Sequence, residues 1–188
     1  MKITKQLLKT NFTIGRDGYE PEAVVIHITE GNRQNVIEEF SNPVTQKSSH
    51  YLVCVNGEIL QFVEEKDQAY TQGKMVKPTA KIVLNKPNVN PNAYCISIEH
   101  EGFTQINEVQ YKASAELVKS VCARWNIPII SDRVFGHNKI RADKACPAQI
   151  NVSRIIIEAS KPAIIPPPKL PQTTNDVPFF IRWFNKRW

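Results

Sequence analysis

Two β-rich runs joined by Asn56-Gly57 constrain the fold of this chain more than any other feature of its sequence. The runs cover residues 50–55 and 58–63 and are rich in valine, isoleucine and aromatic residues. An Asn-Gly pair readily adopts the positive φ angles of a type I′ turn, whose twist matches that of two antiparallel strands. The pattern therefore predicts a β-hairpin. Because an isolated hairpin is at best marginally stable, we expect further strands beside it.

Hydrophobic periodicity predicts the other elements. A continuous apolar run predicts a buried strand over 23–29, and an alternating one predicts a central strand over 94–100. Apolar residues at helical spacing predict a long amphipathic helix over 109–125 that packs on the sheet. The remaining predictions are two helices, around 36–40 and over 150–159, and a surface loop over 74–91. The fold class expected is α/β, a single domain with a central mixed β-sheet flanked by helices.

The composition changes at residue 161. Residues 161–178 contain six prolines, which predict an extended linker. Residues 179–188 are aromatic and basic. We therefore expect a catalytic or binding domain over 1–160, a proline-rich linker over 161–178 and a basic aromatic tail over 179–188.

Charge and hydropathy exclude some classes of protein. The net charge is +6, and residues 161–188 supply +4 of it, so the rest of the chain lacks the basic footprint of a nucleic-acid-binding protein. No apolar run approaches the roughly 18 residues of a membrane-spanning helix. Residues 1–6 are not followed by the apolar segment of a secretory signal, so we expect synthesis in the cytoplasm. The four cysteines show no disulfide spacing.

A short loop at residues 136–147 carries metal-ligand chemistry. It follows a strand-like apolar run over 126–135 and contains His137, Lys144 and Cys146. Imidazole nitrogen and thiolate sulfur are ligands that zinc prefers. His27, which follows an apolar run, is the candidate third ligand. Two histidines and one cysteine leave one zinc position open, as in catalytic sites.

The same residues give the chain a family resemblance. It resembles the zinc-dependent N-acetylmuramoyl-L-alanine amidases shared by phage endolysins, bacterial autolysins and peptidoglycan recognition proteins. The resemblance covers about residues 20–155 and depends on five pieces that occur in the family's order. These pieces are residues 24–29, 48–53 with the hairpin, 92–99, 136–137 and 144–147.

The resemblance implies a site and a reaction. His27, His137 and Cys146 would bind one Zn²⁺, Glu99 matches the family's acidic residue at the end of the central strand, and Lys144 matches a lysine that some members carry. The family hydrolyses the amide between N-acetylmuramic acid and L-alanine in bacterial peptidoglycan. A carboxylate suits proton transfer from water to the leaving amine, and a cation suits stabilisation of the oxyanion. A glutamate in an apolar strand is rare without a partner or a function.

Some positions depart from the family pattern. Ser49 stands where some relatives have a catalytic tyrosine, and with Glu99 it indicates the branch that uses a glutamate. Thr71 stands where many members have a histidine. Candidate substrate-binding residues are His50, Thr71 and Asn92, although His50 also suits a supporting role. His100 is expected to be structural, and Glu101 is a further candidate pocket residue.

Alternative functions remain open at this point. A non-catalytic peptidoglycan-binding module of the same fold is one, although such modules often lose the cysteine ligand. A peptidase with a Cys146–His137 dyad is another. The expected setting is a phage or prophage endolysin that reaches the cell wall after holin-type release, with an autolysin or a wall-recycling enzyme as other settings. The tail is a candidate membrane-active or wall-binding segment, and the sequence does not determine the oligomeric state.

Overall fold

A six-stranded mixed sheet forms the centre of the molecule. The computed structural model describes residues 1–162. In chain order the strands are β1 (Ile3–Lys5), β2 (Phe12–Thr13), β3 (Ala23–Ile26), β4 (Tyr51–Val53), β5 (Ile59–Gln61), β6 (Gln68–Ala69), β7 (Cys95–His100) and β8 (Val134–Gly136). The large sheet has the order β1-β5-β4-β7-β3-β8, and β2 and β6 form a separate antiparallel pair.

The strand pairing confirms the predicted hairpin and the predicted central strand. β4 and β5 pair antiparallel across the Asn56-Gly57 turn, with Leu52 opposite Leu60. The turn is not of type I′, because Gly57 has a positive φ of +81° and Asn56 does not. The N–H of Gly57 donates to the carbonyl oxygen of Cys54 at 2.8 Å, as in a three-residue hairpin loop that ends with a left-handed glycine. β7 lies between β4 and β3 and pairs parallel with both. The strand predicted over 126–135 is shorter than expected, because only its end is β8.

Four helices flank the sheet. They are α1 (Arg33–Ser41), α2 (Lys81–Leu84), α3 (Glu108–Trp125) and α4 (Val152–Ser160). α3 and α4 contribute to one core with β3 and β7, whereas α1 packs Val36 and Phe40 against the other face of the hairpin. The three predicted helices are confirmed. The prediction of a simple surface loop over 74–91 was wrong, because α2 lies within it and buries Ile82 and Val83.

The parallel strands bring the site together. β3 pairs parallel with β7 and with β8, and Ile26 lies opposite both Ile98 and Gly136. The residues that come next, His27, Glu99 and His137, therefore reach the same edge of the sheet. This edge is formed by the carboxyl ends of the strands, where open α/β sheets bind their ligands.

The four cysteines are free thiols, and most of them are buried. Cys54, Cys95 and Cys122 are buried and unpaired, and Cys146 is half-buried. Within residues 1–162, no helix combines the length and the apolarity needed to cross a membrane. The predicted linker beyond residue 162 and the predicted tail over 179–188 lie outside the described residues.

Candidate metal and active site

Three predicted ligands meet at the carboxyl edge of the sheet. One ligand atom each from His27, His137 and Cys146 lies within 4.8 Å of the other two. His27 Nδ1 lies 3.7 Å from Cys146 Sγ, and the two imidazole rings have centroids 4.5 Å apart. Both histidines are buried. The structure thus brings together residues that are up to 119 positions apart in sequence.

The donor set fits a zinc ion. His137 Nε2 lies 3.0 Å from the backbone oxygen of Gln72 and must donate to it, so Nδ1 keeps its lone pair. His27 Nε2 is buried and has no hydrogen-bond partner among the described residues. Imidazole nitrogen and thiolate sulfur both bind zinc, and three protein ligands leave its fourth position open, as in catalytic sites.

The Gly-His and Cys-Pro pairs belong to one packed unit. Gly136 lies against the ring of Pro147, and a Cβ on Gly136 would lie 2.4 Å from Pro147 Cδ. The backbone N–H of Asn138 donates to the carbonyl oxygen of Cys146 at 2.7 Å. The N–H of Ile28 donates to Cys146 Sγ at 3.4 Å. Glycine is needed at position 136 because any side chain there would displace the segment that carries the cysteine.

Glu99 faces the three ligands from β7. Its Oε1 lies 3.9 Å from His27 Nδ1, and its Oε2 is buried without a hydrogen-bond partner among the described residues. Burial raises the pKa of Glu99 to about 8, and the negative charges of Glu39 and Glu30 add to the effect. Such a carboxyl can hold or release a proton near neutral pH.

Burial also keeps the ligands neutral in the absence of a cation. It raises the pKa of the Cys146 thiol to about 12, with a further contribution from Glu99. It lowers the pKa of His27 well below the ordinary value, as do the neighbouring His137 and His100. A cysteine with this pKa is a poor nucleophile at neutral pH, since the thiolate is the reactive form. The Cys146–His137 dyad is therefore disfavoured.

An open cleft of about 350 Å³ leads to these residues. Besides the three ligands, three other residues predicted from the sequence line this cleft: Glu99, Lys144 and Thr71. Lys144 is exposed on the loop that carries Cys146. Several further lining residues were not predicted from the sequence, among them Glu39, Lys47, Gln72 and Arg141. No local pattern distinguishes them, because only the tertiary fold brings their segments to the cleft.

His50 and Asn92 lie beneath the cleft and do not line it. His50 is fully buried, and its Nδ1 accepts a hydrogen bond of 3.0 Å from the backbone of Ser97. Asn92 Oδ1 accepts from the backbone N–H groups of Gln72, at 2.9 Å, and Thr71, at 3.3 Å. Both side chains support neighbouring backbone segments. For His50, this is the supporting role that the sequence also suggested.

The neighbouring candidates also make structural contacts. His100 lies on the opposite face of β7, where its Nδ1 donates to the carbonyl oxygen of His27 at 2.9 Å and its Nε2 accepts from Ser114. Glu101 is not in the cleft, because its carboxylate accepts from the backbone N–H groups of Arg33 and Val55. Ser49 is buried and bonds to the carbonyl oxygen of Ser97.

Comparison with known proteins identifies the family. The family model described as N-acetylmuramoyl-L-alanine amidase matches residues 9–149. The chain belongs to this family. N-acetylmuramoyl-L-alanine amidase A of Achromobacter lyticus is 36% identical over 113 residues, which are 57% of this chain and 55% of that protein. The chain thus spans about half the length of this curated relative.

Solved structures of amidases share the fold. The AmpD structure has a TM-score of 0.68 at 19% identity and matches 84% of this chain and 94% of its own. The N-acetylmuramoyl-L-alanine amidase LysC from Clostridium intestinale has a TM-score of 0.59 at 16% identity, with 84% and 97% covered. At such identities the likeness supports the predicted α/β fold, and the site has to be argued from this chain's own residues.

Proposed function

We propose that the chain hydrolyses the amide bond between N-acetylmuramic acid and L-alanine in bacterial peptidoglycan, and that it needs zinc to do so. The observation that carries the proposal is the cluster of His27, His137 and Cys146 beside Glu99, at the base of an open cleft. Membership of the amidase family supports the identity of the bond that we propose is hydrolysed.

The three clustered residues are those that would hold the ion. When bound, zinc polarises a carbonyl group and brings the pKa of a water towards about 7. The protein's part is to present two neutral imidazoles and one sulfur in fixed positions. Buried surroundings serve this purpose, because they keep His27 and His137 unprotonated.

Glu99 is the proposed general base and acid. A carboxylate in this position takes a proton from the attacking water and later delivers it to the amine of L-alanine. Its pKa of about 8 without a metal shows how strongly the site disfavours a bare negative charge. A nearby cation would favour the carboxylate, so that Glu99 could accept a proton at neutral pH. Proton transfer of this kind contributes about 10²–10⁴-fold to a rate.

Lys144 is the proposed stabiliser of the oxyanion. It lines the cleft and lies two residues from Cys146, so the loop that supplies a ligand also supplies a cation. As the scissile carbonyl becomes tetrahedral, its oxygen gains negative charge that a positioned cation stabilises. Thr71, which also lines the cleft, is a proposed substrate contact. For His50 and Asn92 we propose support of the substrate-binding segment.

The proposed setting is the cell wall during phage release. A catalytic domain over 1–160 followed by a proline-rich linker and a basic aromatic tail would suit a phage or prophage endolysin that leaves the cytoplasm after holin-type release. The tail would then bring the domain to the wall or the membrane surface.

Digestion of purified peptidoglycan tests the reaction. With zinc present we expect new L-alanine amino termini and no new reducing sugar ends, and a zinc chelator should abolish them. New reducing ends would contradict the amidase assignment. Binding to peptidoglycan without new amino termini would instead identify a non-catalytic module. Hydrolysis that continues without zinc and is abolished by thiol alkylation would indicate the cysteine peptidase.

Cys146→Ser tests the ligand assignment, with Cys122→Ser as the matched control because Cys122 is a buried thiol in α3. Only the first variant should lose bound zinc. A Cys146→Ser protein that retains one zinc ion and full activity would refute this assignment.

A further inference from the structure

Gln72 accepts a hydrogen bond from His137 and lines the cleft together with His27, although it is no ligand itself. We infer that Gln72 is a positioning residue that fixes the ring orientation of His137 through its backbone oxygen and that of His27 through its side-chain oxygen. This role rests on the proposed zinc function and adds to it the residue that orients the two imidazole rings.

The backbone contact acts on His137. His137 Nε2 donates to the carbonyl oxygen of Gln72 at 3.0 Å. A neutral imidazole carries one proton, so this bond leaves a lone pair on Nδ1. The ring is thereby held with its acceptor nitrogen available to a metal.

The side-chain contact acts on His27. The side chain of Gln72 is fully buried, and its Nε2 donates to Ser97 Oγ at 2.9 Å, which sets the direction of the amide. Gln72 Oε1 and His27 Nε2 are both buried, and neither has a hydrogen-bond partner among the described residues. An acceptor and a donor left unpaired in the same site complement each other. Because the amide nitrogen of Gln72 is bound to Ser97, the amide oxygen is the atom left to accept from the N–H of His27.

The consequence for His27 is a defined tautomer. With the proton on Nε2, the lone pair is on Nδ1, the nitrogen that lies 3.7 Å from Cys146 Sγ. Both histidines thus present Nδ1 to the same point, because one residue accepts both Nε2 protons. Outer partners of metal-binding histidines commonly act in this way, and their loss typically costs 10–100-fold in metal affinity or activity.

Gln72 is itself held in place by Asn92. Asn92 Oδ1 accepts from the backbone N–H of Gln72 at 2.9 Å, and Asn92 lies immediately before β7. The side chain of Gln72 is bound to Ser97, which is part of β7. The backbone and the side chain of Gln72 are therefore both held at β7, the strand that carries Glu99. This fixes the position of Gln72 relative to the two histidines.

Gln72→Met tests the inference, because methionine fills a similar volume but has no amide oxygen. The variant keeps the backbone contact to His137 and removes the one to His27. We expect zinc affinity, measured by competition with a chromophoric chelator, to fall about 10–100-fold. In the Co²⁺-loaded protein, the ligand-field absorption bands should shift. Gln72→Glu retains an acceptor oxygen and should keep an affinity near that of the wild type.

Thermal unfolding of the metal-free variants separates positioning from folding. If Gln72→Met unfolds, Ser97→Ala carries the test, because it frees the amide to rotate and should lower zinc affinity by a smaller factor. Unchanged affinity and unchanged Co²⁺ bands in Gln72→Met would overturn the inference alone. A wild-type chain that binds no zinc would overturn the proposed function and, with it, the inference.

Discussion

The contact between Gly136 and Pro147 allows a quantitative test of the site. In Gly136→Ala the new Cβ would lie 2.4 Å from Pro147 Cδ and 2.8 Å from Cγ, whereas ordinary contacts begin at 3.4 Å. The proline must therefore move by about 1 Å, and it is bonded directly to Cys146. Protein–metal distances vary by only about 0.2 Å in good sites. We expect a loss of zinc affinity of about tenfold or more, with a general destabilisation of about 1–3 kcal/mol from overpacking.

Zinc competition and thermal unfolding measure the two effects separately. Gly57→Ala is the matched control, since it also places a Cβ in a crowded position, 2.7 Å from Val109 Cγ1, and has a φ of +81°. It should destabilise the fold and leave zinc affinity unchanged, because neither Gly57 nor Val109 lines the cleft. Wild-type zinc affinity in Gly136→Ala would refute the reasoning, as would an equal loss of affinity in both variants.

Three further predictions concern charged side chains. Glu99→Gln should lower hydrolysis about 10²–10⁴-fold. Burial raises the pKa of Glu99 from the ordinary 4.5 to about 8. The metal-free wild type should therefore lose stability as pH rises through this interval, whereas Glu99→Gln should not. An equal change in melting temperature for the two proteins between pH 5 and pH 8.5 would contradict this. Lys144→Met should lower hydrolysis about 10²–10³-fold and leave zinc affinity unchanged in chelator competition. Burial favours a higher pKa for Glu65, but hydrogen bonds from Arg124, Tyr51 and Trp125 outweigh it and lower the pKa. Glu65→Gln should therefore cost about 1–3 kcal/mol in urea unfolding at neutral pH. The difference should shrink as pH falls below the ordinary glutamate pKa, because protonation of Glu65 removes the charge that these donors stabilise.

The fold was predictable where local signals are strong. The Asn56-Gly57 turn, the apolar alternation of β7 and the helical spacing of α3 each act over a few residues, and the structure confirms all three. α2 was not predicted, because four residues give too short a pattern and its burial depends on distant partners.

The site was predictable in its ligand types and in part of its lining. Histidine, cysteine and lysine near one another in a loop indicate metal chemistry, and the structure brings His27 to the loop residues His137 and Cys146. Gln72 was not predicted, and Asn92 was predicted as a substrate contact, whereas it supports the backbone of Gln72. Their importance comes from hydrogen bonds to segments 20 or more residues away, as in the pairs Gln72–Asn92 and Gln72–His137. Sequence patterns carry no record of such contacts.

The parallel pairing of β3 with β7 and β8 has a consequence for how the proposed zinc ion would be acquired. Contacts between segments this distant in sequence form late in folding, since a long chain must first be closed into a loop. Cys146 comes near the end of the described residues, so a nascent chain holds only part of its ligand set until almost the whole domain has been synthesised. Zinc would therefore load after the sheet is assembled and would stabilise the finished fold by mass action rather than guide its formation. Loss of zinc binding would thus be a sensitive indicator of damage anywhere in the sheet.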